Sequence, residues 1–530
     1  MPRNRGTAKA MAQKIRTLLK RIALTSLLLL GIYLIWCTII WNRQPTIAVD
    51  YLAITNSKAL SVSEEDAAYP LYLDAAIARK GNEEPGFYDE YEDPIRPHWP
   101  HQGGWEEFAK WLHQNSEIVE LIREAGRKPD SGYVFGRTIE KETLLWGEEW
   151  SSQWDQNENL TIMDGSLINV TLPALGMFKR LGFILQYDAR QAAFEGDQSR
   201  FISDVQAMLN IARHIKEPPT IIGDLVSLSI LAMANDVAGE TLALSPEIFD
   251  TEHLMLLSEL LLGSDELYEV RPESERLVML DTMQRLYTDD GNGDGSFIVQ
   301  SLPILEFVTT FSDDSISTLH QVVAFLSGPI VSWRVASRQE TLAEFNRLFD
   351  SQIEHGNLPL YLRESKMQYP REVKDDWARS KFIIVDVMIS PMDRVLDNEF
   401  YRRAIRDAVV AAIAMELYRR AEGKWPTQLN QAMEEPSIDP WTGEPMQIAF
   451  DDGRPLIYSF GVDRNDDAGA LWKKEGITLR SPWAPYLEPE IMFDFDFEED
   501  EANLLARTWE PADSADLPDG DWILWPPFVD

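Results

Sequence analysis

Residues 197–263 decide the fold; they read DQSRFISDVQAMLNIARHIKEPPTIIGDLVSLSILAMANDVAGETLALSPEIFDTEHLMLLSELLLG. Asp197 is placed to cap a helix, since its carboxylate can accept from the unpaired N–H groups of a first turn. In that helix Phe201, Val205, Met208, Leu209, Ala212 and Ile215 share one face, and Pro218-Pro219 ends it. Thr220 is a second cap. The segment behind it, with Leu225, Leu228, Ile230, Leu231 and Val237, is apolar on more than one side, which predicts a helix at the centre of a bundle. Ser245-Pro246-Glu247 offers a third cap with proline at the first helical position, leading into His253 to Leu262 and a stop at Gly263.

The helical pattern extends in both directions. Upstream, Phe108, Leu112, Val119 and Ile122 recur at near-helical spacing before Gly126. Downstream, helical runs cover about 273–287, 315–326, 331–353 and 372–388, without a fixed repeat period. A helix over about 398–421 then gives way to strand-like pieces at 447–450 and 456–460 among Pro, Gly and Asp. Trp146, Trp150 and Trp154 would stack on one helical face, a stripe more typical of core than of a sugar-binding surface.

Near the start, residues 22–41 contain no charge, and the 21 residues before them hold seven Lys/Arg and no acid. At about 1.5 Å per residue such a helix reaches about 30 Å, the thickness of a bilayer's hydrocarbon core. A cleaved signal has a shorter apolar core and a small-x-small site. Here the apolar run ends in Thr38, Ile39, Ile40 and Trp41, and Tyr33, Trp36 and Trp41 mark an outer boundary, so a retained signal anchor is expected. The basic leader should stay cytoplasmic, with the body periplasmic or extracellular. The expected architecture is mainly α: a single N-terminal transmembrane helix, an α-helical body and a small α+β C-terminal module. Its divisions are a leader (1–21), the anchor (22–41), a linker and loop-rich region (42–104), the helical body (105–395), the α+β module (396–487) and an acidic tail (488–530).

The formal net charge is −38. Because the leader carries seven positive charges and the anchor none, the remainder carries −45. Such a surface repels phosphate backbones and anionic headgroups, which argues against nucleic acid and against a peripheral membrane role for the body. Divalent cations or basic partners suit it better, and solubility alone also accounts for it. The lone cysteine, Cys37, lies inside the anchor, so the body has no intrachain disulfide, thiolate metal site or Cys nucleophile.

Asp290-Gly291-Asn292-Gly293-Asp294-Gly295 fits the first half of a calcium loop, with Asp290, Asn292 and Asp294 as side-chain ligands and Ser296 offering its carbonyl. Phe297 and Ile298 would pack inward. The bidentate Glu expected at position twelve is replaced by Ser301, with Glu306 beyond, and a flexible polar connector is the competing reading.

Toward the C-terminus, Leu417-Tyr418 ends a helix and is followed by Glu422-Gly423-Lys424-Trp425-Pro426 with Leu429. Asp439-Pro440-Trp441-Thr442-Gly443-Glu444-Pro445 comes next, and then Tyr458-Ser459-Phe460-Gly461-Val462-Asp463. In order and spacing this resembles the C-terminal part of the major pseudopilins of type II secretion systems, over about eighty residues. The resemblance implies a shared loop architecture, an envelope or secretion-related partner, and calcium in the last loop. The matching positions are Asp463, Asn465 and Asp467, with Asp466 beside them; an acidic turn satisfied by its own backbone is the alternative. Residues 22–41 lack the Gly-Phe-Thr-Leu-x-Glu signature of a pseudopilin, and more than 350 residues separate anchor and module. A borrowed module is therefore implied, not a pilus subunit.

Other constellations are weak. His98-x-x-His101 sits in a Pro/Trp loop, with His113 and Glu106-Glu107 downstream, and lacks the helical spacing of a zinc site. No H-E-x-x-H, G-x-S-x-G, Walker A or G-x-G-x-x-G run occurs. The sequence assigns no catalytic residue. It favours a membrane-anchored exported envelope protein, a scaffold or interaction protein with calcium-stabilised loops. The alternative is an envelope hydrolase of glycan or peptide using carboxylate acid and base, which would show shifted carboxylates converging in a deep pocket.

Overall fold

The computed structural model describes residues 5–82, 99–100, 104–136, 140–146, 165–170, 172–301, 318–363, 381–389, 392–451, 453–461, 464–470, 472–474, 477–479 and 521–527. Among them the helices are α1 (Arg5–Trp41), α2 (Tyr51–Thr55), α3 (Tyr69–Lys80), α4 (Trp105–Gln114), α5 (Ser116–Gly126), α6 (Glu140–Trp146), α7 (Pro173–Glu195), α8 (Gln198–Ile215), α9 (Ile221–Leu244), α10 (Thr251–Leu262), α11 (Glu273–Leu286), α12 (Thr318–Arg334), α13 (Arg338–Gly356), α14 (Ile383–Met388) and α15 (Met392–Glu422). The strands are β1 (Gln447–Asp451), β2 (Arg454–Ser459), β3 (Trp472–Lys474), β4 (Ile477–Leu479) and β5 (Trp522–Trp525). The protein is mainly helical with a small antiparallel sheet near the C-terminus, and residues 13–41 are long and apolar enough to cross a membrane.

The bundle is organised around α9. Asp197 accepts from the Arg200 N–H (3.0 Å) at the start of α8, and Thr220 Oγ1 accepts from the Gly223 N–H (2.9 Å) at the start of α9. Ile230, Leu231, Ala234, Val237 and Ala238 of α9 are fully buried, and α7, α8 and α15 pack around it. Small residues at 234 and 238 let neighbouring helices approach closely. The charges that α9 carries inward are paired. Asp224 bridges Arg271 (2.6 Å) and Lys216 (3.3 Å), and Glu240 meets Arg190 (2.9 Å). A second apolar cluster joins α11, α13 and α14 through Met283, Phe345, Phe349, Ile384 and Val385.

Near the C-terminus β1 and β2 form an antiparallel hairpin, and β5 adds antiparallel to the other side of β2. Trp525 Nε1 donates to the Gly239 carbonyl of α9 (3.0 Å), where a Cβ would press on Val409 and Pro527. The sheet is thereby joined to the bundle through α15, whose Ala408, Ala411 and Ile413 lie in the same core as α9. The boundary at 395/396 marks a change of composition; the hydrophobic core runs across it.

Four local expectations change. Ser245 makes no side-chain cap; Pro246–Ile248 is a single 3-10 turn, and Asp250 caps α10 by accepting from the His253 N–H (2.8 Å). The break expected between 326 and 331 is absent: α12 continues through Pro329 and ends before Ser337, which forms a capping box with Glu340. The linker after residue 41 is tied down, because Gln284 Oε1 accepts from the Ala48 and Val49 N–H groups (3.1 Å each). The end of the acidic tail is a structural strand, β5. The helical run expected over 372–380 lies outside the described residues.

Candidate functional site

The first acidic loop closes as a hairpin. Tyr287 and Phe297 form an antiparallel bridge, the Thr288 N–H donates to the Ser296 carbonyl (3.0 Å) and the Asp290 N–H to the Asp294 carbonyl (2.8 Å). A Cβ on Gly295 would stand 1.8 Å from the Thr288 carbonyl oxygen, so only glycine fits that closure. Gly291 and Gly293 occupy the left-handed region, each with φ of 85°. As the sequence implied, Phe297 and Ile298 are buried beneath it.

One carboxylate oxygen of Asp290 and one of Asp294 already have donors. Asp290 Oδ1 accepts from the Asn292 N–H (2.8 Å) and the Asp294 N–H (3.2 Å). Asp294 Oδ1 accepts from the Gly295 N–H (2.8 Å) and from the Gln339 N–H (3.0 Å) in the first turn of α13. The bond from Gln339 is the main reason its carboxyl sits below the usual range, and the helix N-terminus favours the same charge. Arg338 pairs with Asp289 (3.2 Å). The Asn292 carbonyl accepts from the Gln339 amide (3.3 Å), and Ser301, the position-twelve residue, is buried in a 3-10 turn. The structure brings Asp290, Asn292, Asp294 and Ser296 into one loop whose polar atoms bond to the backbone and to α13. Glu306 lies outside the described residues.

The second acidic loop is tied from two directions. Asp439, buried, accepts from the Trp441 N–H (2.8 Å), Ser459 Oγ (2.8 Å) and the Phe460 N–H (2.8 Å), joining the Asp-Pro-Trp turn to the end of β2. Asp466 accepts from Tyr458 Oη (2.9 Å) and the Ala468 N–H (2.9 Å), and Asn465 donates to Asp467 (3.2 Å). Asp463 lies outside the described residues. Sequence reasoning missed Asp521, which arrives from 54 residues beyond Asp467 and accepts from the Asp467 N–H (3.1 Å) and the Gly469 N–H (2.6 Å). Burial pushes its carboxyl up to about 6 against the pull of those two bonds, and Asp467 and Asp466 also raise it; Oδ1 is buried with no donor among the described residues. The Asp521-Trp522 start of a strand-like apolar run was the available signal. Among the described residues no group of three or more His, Cys, Asp or Glu is arranged to hold a metal ion.

Carboxylates shifted upward occur elsewhere: burial alone raises Glu275, which lines a small apolar recess with Met279, Phe345 and Phe349, and others sit inside ion pairs. Asp204 is fully buried and raised well above its ordinary value, first by burial and then by Asp188, with Arg123 (2.6 Å) opposing. Asp188 bonds Arg123 (2.5 Å) and Arg200 in the same cluster. These groups are core ion pairs between α5, α7 and α8. The concavity between α9, α15 and β5, lined by Asn235, Asp236, Ile405, Val409 and Trp522, holds about 120 Å³, below the roughly 300 Å³ of a small-molecule site. Of the constellations weighed from sequence, His98, His101, Trp150 and Trp154 lie outside the described residues, and Trp146 packs against the main core.

Compared with known protein families, curated proteins and solved structures, the chain matches none.

Proposed function

We propose that this is a membrane-anchored exported protein whose helical body is a scaffold or docking unit in a bacterial envelope, with a pseudopilin-like module at its C-terminal end. The observation that carries the reading is α1. Its apolar window is only 6% buried by the rest of the chain, and seven cations with no acid precede residue 22. A helix so apolar and so uncovered needs an apolar solvent, and the basic flank orients it. The scaffold part is supported by the setting of the shifted Asp204, locked in an arginine cluster away from the α9–α15 concavity. Topology tests it. In a Cys37→Ala background, Glu252→Cys should react with an impermeant maleimide on intact spheroplasts and Gln13→Cys only after lysis; the reverse pattern rejects export.

Calcium stabilisation of the two acidic loops belongs to the same proposal. Its support is oxygen-only chemistry in two acidic sequences, Asp290 to Ser296 and Asp463 to Asp467, together with Asp521 Oδ1, which is buried without a donor among the described residues. A cation bound only by the native state raises the melting midpoint in proportion to its affinity. Millimolar calcium should raise the midpoint of the full chain and a chelator should reverse it. An unchanged midpoint removes calcium from the reading and leaves the anchor.

A further inference from the structure

Two apolar helices lie side by side at one end of the molecule. From Thr318 to Trp333, α12 has no Asp, Glu, Lys or Arg, and it packs along the last turns of α1. Tyr33 Oη donates to the Leu326 carbonyl (2.5 Å), the Trp41 and Phe325 rings meet edge-on at 5.7 Å, and Arg43 donates to Ser332 Oγ (2.9 Å). A Cβ on Gly328 would meet Val299 at 3.5 Å and Ile40 at 3.7 Å, so this face of α12 is turned toward α1. Leu326 lies beside Cys37, Gly328 beside Ile40 and Ser332 beside Arg43; α12 therefore rises in the same direction as α1. Val322, Val323, Leu326, Ile330 and Trp333 are exposed, Trp333 by 75%.

Packed helices are separated laterally by about 8–10 Å and cannot differ in depth where they touch. Tyr33 lies about 12 Å below Trp41 at 1.5 Å per residue. If residues 33–41 are solvated by lipid, the α12 residues against them are too. We infer that α12 is embedded beside the anchor in the leaflet that holds Tyr33 to Trp41, with phospholipid acyl chains covering its exposed face. The occupant is fixed by continuity with the uncovered faces of Ile35 and Ile39 on α1. Helical backbone needs no partner in hydrocarbon, and Arg43 and Arg334 stand at the end where the pair reaches headgroups. The bonds from residues 48 and 49 to Gln284 hold the body to the same base. The body is thus seated on the bilayer despite its anionic surface, and does not swing on a tether.

The inference rests on the membrane-anchor reading, and one experiment separates them. The full chain, Cys37→Ala, would carry a single environment-sensitive fluorophore at Ile35→Cys, Val323→Cys, Ile330→Cys or Glu252→Cys in phosphatidylcholine/phosphatidylglycerol vesicles. Doxyl-labelled lipid should quench positions 323 and 330 as strongly as position 35 while iodide quenches only 252. Quenching of 35 by lipid with 323 and 330 open to iodide, or reached by neither quencher, overturns the seat and keeps the anchor; the second pattern would mean protein covers the face. Loss of lipid quenching at position 35 rejects both.

Discussion

Two helices in this chain, α1 and α9, are each long and apolar enough to cross a membrane, yet 6% of one apolar window and 83% of the other is buried by protein. Hydrophobicity alone does not separate them; the polar residues do. Residues 22–41 have no charge, whereas α9 carries Asp224, Asp236 and Glu240, and the structure supplies partners for them. A carboxylate on a core helix is tolerated when a cation is placed against it, and in lipid such pairing is seldom at hand. The contrast teaches that a helix apolar on all sides is assigned by what its few polar groups meet.

The largest expected effect sets one substitution against the same one in the other helix. Ile230→Asp puts an unpaired charge in a fully buried position of α9 and should cost more than about 4 kcal/mol, enough to prevent folding. Leu28→Asp, on the uncovered face of α1, should leave the body's melting transition in place and reduce membrane insertion by about 3 kcal/mol. Circular-dichroism melts and membrane fractionation read the two outcomes, and equal melting losses would erase the distinction.

Next is the ion pair that lets α9 be a core helix. Asp224→Ala leaves Lys216 buried without its carboxylate and should destabilise by about 3–5 kcal/mol in denaturant titration. A loss below about 1 kcal/mol would mean the pair is a surface contact.

A somewhat smaller effect follows from acid. His214 accepts from Tyr72 Oη at Nδ1 and donates to the Lys128 carbonyl at Nε2 (2.9 Å each). Burial first, and Arg213 second, push its pKa down to about 4 from 6.5. The folded state holds it neutral, so its contribution is full above pH 6.5 and is lost as pH falls through 4; about 3 kcal/mol disappears across that window. Asp521 works oppositely: with its carboxyl raised to about 6 from 3.8, its part of the stability grows as pH falls through 6. His214→Gln should flatten the acid loss and Asp521→Asn should deepen it, in denaturant midpoints at pH 7.5 and 4.5.

The smallest expected change is local. Gly295→Ala must push Thr288 aside and should cost about 1–3 kcal/mol, with earlier proteolytic cleavage near residue 290. A neutral result would show that the hairpin closure has slack.

Much of this was legible in the sequence. The caps at Asp197 and Thr220, the central place of α9 and the uncharged run at 22–41 follow from periodicity and local chemistry, which short windows contain. Ser245 misled because proline at a first turn marks a 3-10 turn as well as a helix, and Asp250 was the better acceptor. The runs at 315–326 and 331–353 were read as separate with Pro329 between them, but a proline inside a helix is tolerated when packing on one face holds it, as α1 does here. Asp521 escaped for a different reason. Its meeting with Asp467 and Gly469 is made by strand pairing across more than fifty residues, and no local window carries that information.

Lipid contact itself is the most direct test of the central contrast. A phospholipid bearing a diazirine in its acyl chain, photolysed with the full chain in vesicles and mapped by peptide mass spectrometry, should label residues 22–41 and leave 221–244 unmodified. Label in 221–244, or none in 22–41, would contradict the account.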